Sequence, residues 1–176
     1  MGVLAEYVRK EADHLRDEVA KRGTLLKDWL ASIDRLFTEL EGWVREADGG
    51  IGLLTTSRAD GPMRQEYSLG AYHAPTLRVH LGGPLSGRSA QIVARSRHVA
   101  ATVHPPGEAE RRADGMVEIW DGGVATDYLF RLAGGSEEPD RWFIRGVTAW
   151  NANPESREVE ELTRERFEAA VLRVLK

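Results

Sequence analysis

Apolar side chains recur along residues 4 to 47 at alternating steps of three and four: Leu4, Val8, Ala12, Leu15 and Val19, then Leu26, Leu30, Ile33, Phe37, Leu40, Val44 and Ala47. That spacing keeps them on one face of an α-helix, so the stretch predicts one very long helix. Uninterrupted, about 45 helical residues extend roughly 65 Å. A compact body built from the rest of the chain measures only roughly 35 to 40 Å across. Part of the helix must project or fold back, and a projecting helix with a near-heptad stripe calls for another helix to cover it.

The two halves of this segment differ in weight. The first has a thin stripe of small residues and many charges, with Glu6 before Lys10, Asp17 before Lys21 and Glu18 before Arg22 in the favourable order four apart. The second adds Trp29, Leu36 and Trp43, which widen the apolar face as a core requires. Gly23 and Thr24 lie between them and read as a kink, or as a stop followed by a new N-cap. The expected division is a projecting arm over 1–22 and a single α+β domain over 23–176, with a helix at 24–47, strands within 51–147 and a helix at 154–175.

After Asp48-Gly49-Gly50 the rhythm changes from helical to alternating. Strands are predicted at 51–58, 64–72, 76–81, 90–95, 98–104, 115–121, 124–132 and 141–147. The turns between them are "ADGP", "HAP", "GGPLSG", "PPGEAERRADG", "DGG" and "AGGSEEPD". Short connections favour an antiparallel β-meander of about seven or eight strands, as a curved sheet or partial barrel. Asn153-Pro154 reads as an N-cap and first helical residue, opening a C-terminal helix that packs on the sheet through Val159, Leu162, Phe167, Ala170, Val171 and Val174.

Composition narrows the function classes. The chain has 176 residues, 41% hydrophobic and 30% charged, with a net charge of -4. These values suit one soluble globular domain and give no global pull toward nucleic acid or anionic lipid. The absence of cysteine rules out disulfides, thiolate catalysis and cysteine-held metals. Charges begin at Glu6, so the start carries neither the apolar core of a signal peptide nor a membrane span, and the expected location is cytoplasmic. "GGPLSGRS" (82–89) has the glycine spacing of a phosphate-binding loop, but Arg88 stands where that loop needs lysine, and the preceding strand alternates. No set of acid, base and nucleophile, no cofactor signature and no metal-ligand spacing is legible, so no catalytic, cofactor or metal residue is assigned.

Three binding surfaces remain. Leu4, Val8, Ala12, Leu15 and Val19 form a stripe for a protein partner or for self-association. Arg78, His80, Arg95, Arg97, His98 and His104 suggest a basic sheet face for an anionic ligand or nucleic acid. In "DRWFIRGVTAW" (140–150), alternation puts Trp142 and Ile144 on one face and Arg141, Phe143 and Arg145 on the other. With Trp150, the second set is a possible aromatic anchor. The leading expectation is a non-catalytic interaction or oligomerisation module that docks through its N-terminal helix. The alternatives are nucleic-acid binding by the basic face, and a small-ligand or enzymatic cup between sheet and C-terminal helix.

Overall fold

The computed structural model describes residues 2–83, 85, 87–134, 138–146 and 159–176. Helix α1 spans Val3–Asp48, 46 residues without a break, and is therefore about 70 Å long. Gly23 lies inside it. Thr24 is not an N-cap, because its hydroxyl donates to the Ala20 carbonyl at 3.1 Å, one turn back. At the far end the Asp48 carboxylate accepts the N–H groups of Gly52, Leu53 and Leu54 at 2.6, 2.8 and 2.8 Å. The bonds from Leu54 and Gly52 hold its carboxyl below the ordinary range, and together they fasten the end of α1 to the first strand.

Among the described residues nine strands follow: β1 (Leu54–Glu66), β2 (Gly70–Leu81), β3 (Ser89–Ser96), β4 (Thr102–Val103), β5 (Arg111–Arg112), β6 (Gly115–Trp120), β7 (Ala125–Leu132), β8 (Arg141–Gly146) and β9 (Glu160–Glu161); helix α2 (Arg164–Leu175) comes last. Seven of the strands make one open, curved sheet in the order β1-β2-β3-β6-β7-β8-β9, and β4 and β5 form a separate two-stranded ribbon. Every pairing is antiparallel. The fold is the expected α+β meander with a long helix before it and a short one after.

Three local expectations fail. "ADGP" and "HAP" are not turns but parts of β1 and β2, whose hairpin turns at 67–69, inside the segment predicted as a strand. Asp60 faces Pro75, and the register shifts between Asp60 and Met63, so both prolines fall in one irregular patch where missing N–H donors cost little. Gly61 belongs there too: a Cβ would collide with the Ala74 carbonyl and the Thr76 hydroxyl. The strand expected at 98–104 shrinks to β4. The C-terminal helix starts at Arg164, capped by the Thr163 side chain, which accepts the Arg166 N–H at 3.4 Å. Before it, Glu160 and Glu161 pair with Ile144 and Phe143 of β8 instead of continuing a helix, and Asn153 and Pro154 lie outside the described residues.

One face of the sheet is covered by helices and the other is covered in part. The second half of α1 and α2 pack on one, burying Trp29, Ile33, Leu36, Leu40 and Phe167 against Leu77, Ile92, Val117, Ile119 and Leu129. Each such side chain, fully buried, stabilises by about 1.5 to 3 kcal/mol. On the other face a smaller core of Val99, Val103, Phe130, Phe143 and Val159 lies beneath the β4–β5 ribbon. A Cβ at Gly115 would overlap the Trp29 ring, so glycine there lets the helix sit close on β6.

Candidate functional site

The arm residues Leu4, Val8, Leu15 and Val19 are 75, 56, 52 and 66% exposed. They lie on α1 ahead of its first buried residue, Trp29. Around the stripe the charges pair within the helix: Arg16 with Asp13 at 2.9 Å, and Glu18 with His14 at 3.6 Å and Arg22 at 3.9 Å. Arg22 also sits 5.5 Å from the ring centroid of Tyr67, in the β1–β2 turn. That contact marks the level at which the helix reaches the sheet. From Val3 to Arg22 the arm extends about 30 Å.

The body holds its end of the helix with two buried polar clusters that sequence spacing did not reveal. Asp140 accepts from Ser32 at 2.5 Å, Arg35 at 2.9 Å, Arg131 at 3.0 Å and the Gly134 N–H at 3.1 Å. Burial works to raise its pKa, but the bonds from Arg131, Ser32 and Gly134 outweigh it and bring the carboxyl down to about 2. Arg131, almost fully buried, also reaches Asp28 at 3.1 Å. In the second cluster Trp29 donates to the Tyr72 hydroxyl at 3.2 Å, and Tyr72 donates to Glu66. Burial and then Glu66 push the phenol above its usual range. Glu66 further accepts from Ser96 at 2.9 Å and from the Arg97 and His98 N–H groups at 3.2 and 3.1 Å. Members of each cluster are scattered over distant sequence positions, so no local pattern signals them.

The predicted basic face does not form one patch. Arg78 and His80 lie on the sheet face away from α1, where His80 is buried and shares a 2.9 Å hydrogen bond with Ser57. Ser89, opposite His80, is six residues from Arg95 along β3, a separation of about 20 Å. Arg95 is drawn to Glu118 at 3.6 Å. Arg97 and His98 belong to the turn held by Glu66, and His104 lies just past β4. A serine beside a histidine is the minimum for nucleophilic attack, but among the described residues no third group orients the His80 ring.

Residues 142–145 of the aromatic stretch are buried. Trp142 stacks toward Trp29 at 6.5 Å, Phe143 is fully buried in the second core, and Arg145 is buried with its pKa lowered by desolvation. Arg141 lies 5.0 Å from the Phe143 ring centroid and bonds Glu108 at 2.7 Å. A buried ring offers no stacking platform, so Phe143 is not available as the possible anchor; Trp150 lies outside the described residues.

An open groove of about 570 Å³ lies where α1 ends, between β1–β2 and α2. Val44, Leu54, Phe167, Val171 and Leu175 form its walls, and Ile51 and Leu172 stand exposed at its mouth. Glu168 on the rim is held by Arg164 at 2.6 Å; Arg88 and Lys176 line the same edge. Among the described residues no helix is long and apolar enough to cross a membrane. No family model, no curated protein and no solved structure matches this chain.

Proposed function

We propose that this protein is a self-associating module in which the N-terminal arm of one copy is covered by the arm of another. One observation carries the reading: a single helix buries its apolar face over its second half and leaves the continuation of that face bare over its first. Exposed apolar stripes of this kind are interaction surfaces more often than free ones. Light scattering on the full chain tests it. The expected result is a dimer at high concentration, and Leu15→Asp with Val19→Asp returns the chain to a monomer. A wild-type chain that stays monomeric throughout removes the reading.

The groove supports a second reading, a binding site for a linear apolar chain ending in an anionic head. Its volume lies within the usual range for small-ligand sites. Its walls are apolar, and the cationic side chains of Arg88 and Lys176 are among the residues that line it. Thermal unfolding with and without decanoate checks this. Decanoate should raise the melting temperature of the wild type and leave Leu172→Arg unmoved; an unchanged wild type removes the idea.

A further inference from the structure

The arm's geometry points to an antiparallel clasp, an inference that rests on the self-association reading and specifies its partner as a second copy running in the opposite direction. In a seven-residue repeat, Ala5, Ala12 and Val19 occupy one seam position and Val8, Leu15 and Arg22 the other. The same repeat continues through Leu26, Trp29, Ile33, Leu36 and Leu40, all but Leu26 fully buried on the sheet and Leu26 packed at its border. At 3.6 residues per turn, the centres of the bare and buried stripes point within about 50° of each other. The seam of the arm therefore looks out on the side where, past Arg22, the space is filled by the protein's own sheet.

This fact decides orientation. A parallel partner in register would drive its residues 24 to 48 into that sheet, and its own sheet into the first copy's helix. An antiparallel partner leaves on the opposite side. With Val8 level with Val19 of the second copy, Leu15 stands opposite Ala12, a large seam residue against a small one, and Arg22 comes level with Ala5 at the ends of the overlap. In this register Leu4 of the second copy comes level with Gly23. Each arm then ends where the other body begins, beside the exposed ring of Tyr67. The length of the bare segment matches the overlap that the two bodies permit.

The flanking charges favour the parallel orientation, and the steric block overrides them. Antiparallel packing brings Glu11 near Glu18 and Arg9 near Arg16 of the second copy, whereas parallel packing would set Glu11 against Arg16. Repulsion between exposed like charges is weak and is screened by salt. The clasp should accordingly tighten as ionic strength rises. Glu11→Lys should tighten it roughly five- to tenfold, by turning two repulsive contacts into attractive ones.

The chain contains no cysteine, so single cysteines report proximity without background. Disulfides need Cα atoms within about 7 Å. Mixing full-length Val8→Cys and Val19→Cys under mild oxidation should yield a covalent heterodimer, while Val8→Cys alone yields none. Cross-linking of Val8→Cys to itself, or a Glu11→Lys dimer weaker than wild type, overturns the antiparallel clasp and leaves self-association standing. A wild-type monomer in light scattering with no cross-linked product in any mixture overturns both.

Discussion

The two halves of α1 share one backbone and one apolar rhythm, yet one half is the keystone of the core and the other touches almost nothing. Width separates them. Trp29, Ile33, Leu36, Phe37 and Leu40 spread over a broad arc and are at most 1% exposed, whereas Ala5, Val8, Ala12, Leu15 and Val19 form a narrow line flanked by charges. A broad arc fits a curved sheet; a narrow line fits another helix. Polar anchoring follows the same division, since Asp140, Arg131 and Asp28 fasten the helix from residue 28 onward, while the arm's ion pairs stay within the arm.

The sharpest way to break this contrast is Trp29→Ala, which empties the space between α1 and the sheet over Gly115 and Trp142. It should cost about 3 to 5 kcal/mol in denaturant unfolding; a loss under about 1 kcal/mol would mean the proximal half is not the keystone. Asp140→Asn comes next, at about 3 kcal/mol, because Arg131 keeps its charge in a buried site with a weakened partner. It carries a pH signature. The Asp140 carboxyl is held at about 2 against an ordinary 3.8, so its contribution is complete above about pH 4 and is lost as pH falls through about pH 2. Wild-type stability should decline across that window and the variant should decline less; equal slopes would dismiss the cluster as an anchor.

Gly23→Ala probes the junction. A Cβ there meets nothing within 4 Å, so alanine should add about 1 kcal/mol of helix stability and leave association intact. Weaker association on light scattering would show that the junction has to bend. The smallest effect belongs to the distal half: Leu15→Asp, with its side chain half exposed, should change unfolding of the body by less than about 0.5 kcal/mol while abolishing the dimer. A destabilisation as large as that of Trp29→Ala would erase the distinction between the halves.

Much of the architecture was legible in residue order, and the failures share a cause. Asp121-Gly122-Gly123 turns the chain as its composition says, with the Asp121 side chain accepting from the Gly123 and Val124 N–H groups at 2.8 and 2.9 Å. Gly61-Pro62 and Pro75 carry equally strong turn chemistry and yet lie in strands, because each sits opposite the other's irregularity. The ionic clusters were invisible for a related reason: Ser32 and Asp140 are 108 positions apart. In the aromatic stretch, the alternation of Trp142 and Phe143 onto opposite faces was readable, but not that the β4–β5 ribbon would cover the second face.

Periodicity is a property of the chain alone, since helical and extended backbones present side chains at fixed intervals whatever surrounds them. It was enough for helical spacing across residues 4 to 47, though not for whether Gly23 interrupts the helix, and for an antiparallel meander after it. Burial depends on what stands opposite, and opposition arises only once distant segments meet. That is why one stretch of the same stripe became core, its neighbour stayed bare, and a groove opened where α1, β1 and α2 fail to close.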